Sequence, residues 1–351
     1  MTITVNLYDT NALLGLYRQV EAPSTYFRDL LFPQVVTFDD EYIDFQKIHE
    51  GRKLAPLVVP TAQGRPVYSE ASELTRLKPA YVKPKDAVSP GRVIKRRPGE
   101  NLFMPNTMSP QARYNALVGD IIRQHRETID RREEWLAARA VIDGKVTLEG
   151  PDFPTTVVDF KRDPLHTVTL LGAQAWNAAG YSGSRMKDIQ TWIDRVRRAK
   201  FGGPVNRLTV GAGVLEFMLQ DDDIKRQLDL TVRGTSADLN TGLRSGEYVE
   251  YIGKLGPNLE LWVNSDWYED VDGNAVPFLA EGEVVLTGPN VMGVRCFGAI
   301  LDEEAGFNAL PVFPKMWRNP DPAATFVMSQ SAPLPVPVNP NNTLKATVLA
   351  E

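Results

Sequence analysis

The chain has 351 residues, of which 43% are hydrophobic and 24% charged, a balance that excludes a disordered or fibrous protein and predicts two subdomains rather than one enlarged core. Lys and Arg number 39 against 44 for Asp and Glu, and a formal net charge of -5 excludes the strongly basic field of a dedicated nucleic-acid binder. Neither a secretory signal pattern nor an apolar run of about 18 residues is present, so synthesis in the cytosol without a membrane partner is expected.

Residues 1–34 carry Ile3, Val5 and Leu7, then Leu13, Leu14, Leu16 and Tyr17, then Tyr26, Phe27, Leu30, Leu31, Phe32 and Pro33. An arm so rich in large apolar groups must be covered, either by this subunit's own body or by a neighbour's. From Val35 to Val59 the pattern tends to period two, with Tyr42, Asp44, Gln46 and Ile48 alternating against Ile43, Phe45 and Lys47, and Pro56 and Pro60 limit the pairing of that strand. The stretch to Arg97 places Pro66, Pro79, Pro84 and Pro90 among many charges and reads as a long hairpin or loop with edge character, reaching toward a partner.

A long helix is predicted from the Ser109-Pro110 start to Ile142, where Asp143-Gly144 ends it. Its stripe is Tyr114, Leu117, Val118, Ile121, Ile122, His125, Ile129, Leu136 and Ala140, and Asp120, Arg123, Glu127, Asp130, Arg131, Glu134 and Arg139 are assigned to a solvated face. At 1.5 Å per residue it would be roughly 50 Å long, which suits an elongated molecule. The runs 145–149, 155–160 and 167–171 suggest a sheet across that helix. A second helix is predicted over 184–200, with Met186, Ile189, Trp192, Ile193 and Val196 inward, followed by a strand at 207–210 and a helix at 213–219. The region 248–286 reads as β, with a hairpin turn at Asp272-Gly273, and 291–300 and 326–338 read as extended. This order defines an α+β fold class.

No constellation for catalysis emerges, and neither a cofactor nor a metal is expected. His49, His125 and His166 lie far apart without metal spacing, and His125 falls in the apolar stripe. Asp270, Asp272 and Asn274 begin like a calcium loop, but Ala275 replaces the required Gly and Glu281 is offset by one from the closing position. Gly211-Ala212-Gly213 lacks the rest of a phosphate-binding fingerprint, and Ser182 and Ser184 do not form a nucleophile elbow. The single Cys296 excludes a disulfide framework and reads as a buried thiol. One charged cluster stands out: Arg76, Lys78, Lys83, Lys85, Arg92, Lys95, Arg96 and Arg97, opposed only by Asp86. On a protruding hairpin these cations, with Tyr81, are expected to meet an acidic face of an identical copy, for which Asp39, Asp40, Glu41 and Asp44 are the candidates, in preference to DNA.

Several separated blocks, in one order, give the chain a resemblance to the lambda-type major capsid proteins of tailed bacteriophages. They are Pro79-Ala80-Tyr81-Val82-Lys83-Pro84-Lys85, then Gly144-Lys145-Val146-Thr147 with Val158-Asp159-Phe160, then Phe313-Pro314-Lys315-Met316-Trp317, Asp321-Pro322-Ala323 and Gln330-Ser331-Ala332-Pro333-Leu334. Residues 201–270 match only in general pattern. The resemblance implies the Hong Kong 97 type of capsid fold, with an N-terminal arm at 1–34, an extended loop at 35–105, and a peripheral domain with a spine helix at 106–171. An axial domain would follow at 172–290, and 291–351 would return to the peripheral domain. It also implies a non-enzymatic subunit that assembles as hexamers and pentamers into an icosahedral head around phage DNA. A separate scaffold, a portal and a decoration protein would be its partners, and it would pass from host cytoplasm to virion. A cellular nanocompartment shell of the same fold is the alternative. On either reading the arm and the hairpin are expected to find their burial between subunits.

Overall fold

The computed structural model describes residues 10–19, 25–40, 42–49, 71–95, 109–150, 153–229, 248–256, 258–270, 272–306, 308–321 and 323–350. Ile3, Val5, Leu7, Glu41, Arg96 and Arg97, on which expectations above rest, lie outside these residues. In chain order the elements are α1 (Thr10–Gln19), α2 (Phe27–Leu31), β1 (Gln34–Thr37), β2 (Ile43–His49), β3 (Ala71–Leu77), β4 (Lys85–Val88), α3 (Pro90–Ile94) and α4 (Pro110–Ile142). Then come β5 (Lys145–Gly150), β6 (Phe153–Asp159), β7 (Thr167–Thr169), α5 (Arg185–Arg198), β8 (Arg207–Gly211), α6 (Ala212–Gln220), α7 (Asp222–Gln227) and β9 (Leu228–Asp229). Five strands follow, β10 (Val249–Leu255), β11 (Leu259–Asn264), β12 (Trp267–Glu269), β13 (Ala275–Pro277) and β14 (Glu283–Thr287). The last are β15 (Gly293–Phe297), β16 (Phe313–Asn319), β17 (Ala324–Gln330), β18 (Pro333–Pro337) and β19 (Thr343–Thr347).

Helix α4 starts and stops where the local chemistry dictates. Ser109 Oγ accepts the Ala112 N–H at 3.2 Å, Pro110 occupies the first turn, and Gly144 turns the chain away at φ +68°. Its 33 residues run under three different partners. The amino-terminal half packs Tyr114, Val118, Ile121 and Ile122 against Val88 and Val327 and against Leu13 and Tyr17 of α1. The helix also packs on β18. The carboxyl-terminal half joins Leu136, Ala137 and Val141 to Val146 and Leu148 of β5 and to Tyr26, Phe27 and Phe32.

The main sheet has seven strands in the order β7-β19-β14-β8-β11-β10-β9. Strand alternation sends neighbouring side chains to opposite faces, and both faces are covered, so its central strands are buried but for the half-buried Arg207, Glu260 and Glu283. On one face Leu208, Val210, Leu261, Val263, Val284 and Leu286 meet Ile189, Trp192 and Val196 of α5 and Val214 and Met218 of α6. On the other, Trp262 and Val285 meet α2 and the end of α4. Arg162 fastens this junction: its Nη1 donates to Val141 O at 2.8 Å and to Thr343 Oγ1 at 3.3 Å, and its Nη2 to Thr167 Oγ1 at 3.0 Å.

Two smaller sheets, β1-β15-β18 and β16-β17-β4, lie along α4. Pro333, Pro335 and Pro337 alternate along β18, so the missing N–H groups share one side, as an edge strand allows. Cys296 is fully buried beside Ile43 and Leu334, and burial pushes its thiol pKa up to about 12.

Four expectations need correction. The described parts of the arm, α1 and α2, are buried on this chain's own α4 and not between subunits. Asp130 and Glu134, assigned to the solvated face of α4, are buried beneath α2. The runs at 145–171 do not form one sheet across the helix: β5 and β6 make a separate hairpin, and β7 joins the main sheet beside β19. The proline-rich loop is not one free protrusion either, because β4 pairs with β17 while only β2 and β3 form a hairpin of their own.

A Cβ at Gly144 would approach Arg162 Nε to 2.8 Å and Cβ to 2.9 Å, whereas one at Gly119, inside α4, would meet nothing within 4 Å. Gly144→Ala should therefore lower unfolding free energy by about 2 kcal/mol through strain and collision. Gly119→Ala should raise it by up to about 1 kcal/mol through helix propensity. Urea unfolding of the two full-length variants checks both signs.

Candidate assembly site

Helix α2 is held to α4 by charge as well as by apolar contact. Glu134 projects from α4 under the first turn of α2, where one carboxylate oxygen accepts the N–H groups of Tyr26 at 3.1 Å and Phe27 at 2.7 Å and the other accepts that of Arg28 at 2.8 Å. These are donors a helix start leaves unpaired, here satisfied by a residue more than a hundred positions away. Arg28 turns inward, donating to Asp130 at 2.7 Å and lying 3.6 Å from Glu133, which Arg295 of β15 approaches to 3.8 Å. Burial pushes the carboxyl groups of Glu133 and Glu134 up to about 7, against the opposing pull of Arg28 on the first and of the N–H groups of α2 on the second. Tyr26 completes the attachment, with its hydroxyl 2.9 Å from Thr209 Oγ1 of β8 and its ring 6.1 Å from that of Trp262.

The helical half of this cluster is acidic, a pattern that in sequence signals a solvated face. Asp130, Glu133, Glu134 and Ala137 do follow helical spacing into the buried end of α4. That continuity of an acidic stripe with an apolar one is the available signal.

The loop residues singled out by charge are spread over several elements. Arg76, in β3, and Lys78, just after it, are exposed and lie 5.4 and 5.7 Å from the centroid of the Tyr42 ring. Lys83 lies 5.1 Å over the ring of Tyr81, whose hydroxyl donates to Ala299 O at 2.8 Å. Lys85 belongs to β4 and stands over the stacked rings of Phe326 at 4.3 Å and Trp317 at 5.1 Å. Such contacts contribute about 0.5–1 kcal/mol each at exposed positions and align the cations on this chain's own aromatic rings. Asp39 and Asp40 are exposed, and the Asp40 carbonyl accepts Ala299 N–H at 3.2 Å. Asp44 stands opposite Arg76 in the register of the β2–β3 hairpin. Glu41 lies outside the described residues.

The chemical candidates set aside in the sequence have structural roles. His125 sits between Ser329 Oγ and Asp86 Oδ2, each 3.2 Å from a ring nitrogen, and burial pulls its pKa down. His166 Nδ1 donates to Thr343 O at 2.9 Å. The glycines at 211 and 213 admit a neighbouring segment: a Cβ at Gly211 would fall 2.2 Å from Ala280 O, and one at Gly213 would fall 3.1 Å from Glu281 O. Among the described residues no group of three or more His, Cys, Asp or Glu could hold a metal ion.

A long helix crossed by two small sheets and joined to a larger mixed sheet is the α+β subunit fold of phage capsids. A crystal structure of a protein described as the capsid protein of an E. coli CFT073 prophage superposes with a TM-score of 0.74 at 27% identity, covering 99% of this chain and 100% of that one. The mature capsid subunit of bacteriophage PhiM1 shares the fold at a TM-score of 0.51 and 10% identity, covering 99% of this chain and 91% of that one. The chain belongs to the phage major capsid protein E family, whose model matches residues 9–348. It is 31% identical over 343 residues to the major capsid protein of Enterobacteria phage P21, covering 96% of this chain and 98% of that protein. Against the major capsid protein of Escherichia phage lambda it is 29% identical over 343 residues, with the same coverage of 96% and 98%. The protein is a structural subunit of a phage head shell, and nothing in these relatives favours the nanocompartment alternative.

Arg28→Met retains the aliphatic stem but leaves Asp130 and Glu133 buried without their guanidinium. A loss of about 3–5 kcal/mol is expected in urea unfolding. Asp29→Asn, at a side chain 51% exposed, should change stability by less than about 1 kcal/mol. Equal effects for the two variants would contradict the buried-cluster account.

Proposed function

We propose that this chain assembles as hexamers and pentamers into an icosahedral head, with the 35–105 region as the element that reaches neighbouring subunits. The observation that carries this reading is the β2–β3 hairpin, which pairs with no other strand among the described residues. Arg76 lies in β3 and Lys78, Tyr81, Lys83 and Lys85 follow it, close in sequence to Asp39, Asp40, Glu41 and Asp44. Basic and acidic positions offered by one chain give a self-complementary surface, because each copy can offer both charges to the next.

In this reading 1–34 serves as the N-terminal arm and 106–171 as the peripheral domain with its spine helix. Residues 172–290 form the axial domain around the centre of each capsomer, and 291–351 returns to the peripheral domain. Assembly takes place in host cytoplasm with a separate scaffold and portal, and a decoration protein reinforces the finished shell. Packaged double-stranded DNA lies close to the inner surface without being gripped, in keeping with a formal net charge of -5. The subunit carries out no catalysis and needs no cofactor.

Lys83 and Lys85 separate the contact role from a folding role. Lys83→Glu changes a side chain whose described partner is the Tyr81 ring, so unfolding should shift by less than about 1 kcal/mol while particle yield falls sharply. Lys85→Glu should additionally weaken the fold, because Lys85 covers the Trp317 and Phe326 rings. Particle counts by electron microscopy, read beside urea unfolding of each variant, test this. Normal particles at normal yield from Lys83→Glu would remove the loop from the contact surface.

A further inference from the structure

We propose that the β12–β13 hairpin of one chain docks on the carboxyl-terminal end of α5 in the next copy, a head-to-tail contact in which Trp267 and Glu269 receive the guanidinium groups of Arg197 and Arg198. The inference rests on the assembly of this chain into rings and names one contact within them.

The hairpin is fixed at its base and bare at its tip. Phe278 is buried with α2 and the end of α4, its carbonyl accepts an Arg139 N–H, and its ring lies 5.1 Å from that of Tyr268. Trp267 stands opposite Pro277 and Glu269 opposite Ala275, so strand alternation places these side chains on the face turned away from Tyr268 and the core. Trp267 is 43% exposed there. Residues 266–278 hold Asp266, Glu269, Asp270 and Asp272 and no Lys, Arg or His. β12 and β13 pair with no further strand among the described residues. An exposed indole beside a carboxylate suits a planar guanidinium, which stacks on the ring and pairs with the acid at once.

The matching surface is at the other end of the main sheet. Residues 195–200 hold Arg195, Arg197, Arg198 and Lys200 and no acid, in a chain whose net charge is -5. Arg195 is committed to Leu165 O at 2.8 Å, whereas Arg197 and Arg198 are exposed. Arg197 faces Asp194, itself exposed, at 3.8 Å, and Arg198 has no ion pair among the described residues. Leu165, 65% exposed, adds an apolar surface beside them.

Asn341 donates to Lys200 O at 2.9 Å and fixes this end of α5 beside the row Thr343, Thr287 and Arg207 of the main sheet. The hairpin instead follows Asn264, which stands opposite Gly211 at the far end of the same strands. Strand rise separates the two rows by about 13 Å. The hairpin base packs on the α4 side of the sheet while α5 covers the other face, so the two surfaces are kept apart within one chain. A contact between them joins unlike surfaces of two copies, and its repetition closes a ring when the rotation allows. Two hairpins, or two α5 ends, would repel each other, so the charges select this order.

Charge exchange in cells that produce the complete head tests the contact. Glu269→Arg with Asp272→Arg, and separately Arg197→Glu with Arg198→Glu, should each leave urea unfolding near that of the wild-type chain. Each pair should lower the head count by electron microscopy at least about tenfold, and the chain carrying all four substitutions should recover to within about threefold of wild type. A wild-type count from either pair, or no recovery with all four, would overturn the contact and leave ring assembly standing. Should a pair fail to fold, cross-linking decides, because the native thiol of Cys296 is buried. Ala275→Cys with Lys200→Cys, treated in assembled heads with a short bis-maleimide, should give a ladder of covalent oligomers ending at the hexamer, while each single variant stays monomeric. Dimers alone, or no ladder from intact heads, would overturn the contact. Failure of the wild-type chain to form closed heads would remove the assembly reading and this inference with it.

Discussion

The constraint on which the rest of this structure depends is the length of α4. A helix of 33 residues that buries Val118 near one end and Ile142 at the other outruns the footprint of any single small sheet. The chain answers with three partners in succession, drawn from widely separated parts of the sequence. β4 and β17 cover the amino-terminal half, α2 with the main sheet the carboxyl-terminal half, and β18 also packs on the helix. Because those partners come from residues 27 to 347, the helix ties the amino- and carboxyl-terminal parts of the chain into one body.

Much of this was legible locally. The limits of α4 follow from Ser109-Pro110 and Gly144, those of α5 from Ser184, whose Oγ accepts Lys187 N–H, and the β12–β13 turn from Gly273 at φ +80°. Each of those signals acts within a few residues, which is why pattern reading finds them. The partners of α4 were not legible, since nothing in the composition of β4 says that it pairs with β17 across more than two hundred positions. The charged face of α4 failed for a related reason. Asp130 and Glu134 are acidic and at helical spacing, which signals solvent unless the covering segment is known, and that segment, α2, lies a hundred residues earlier.

The candidate contact residues divide along the same line. The basic strip of the loop was visible as charge, and its identity as a set was not, because Lys85 is committed to a strand and an aromatic pair while Lys83 is not. The arm changes role altogether. Its described apolar groups are satisfied within the chain, whereas the β2–β3 hairpin, like β5–β6 and β12–β13, pairs with no further strand among the described residues. Among the described residues, α1 and α2 are covered by this chain's own α4, and contact with neighbours is the role proposed for the β2–β3 hairpin.

That division of labour is best examined in an assembled head, where electron cryo-microscopy at side-chain resolution traces each hairpin and each arm to its surroundings. The account predicts the β2–β3 hairpin lying against an adjacent subunit while Tyr26 and Phe27 remain on the α4 of their own chain. A hairpin folded back onto its own body, with no neighbour along it, would contradict the account.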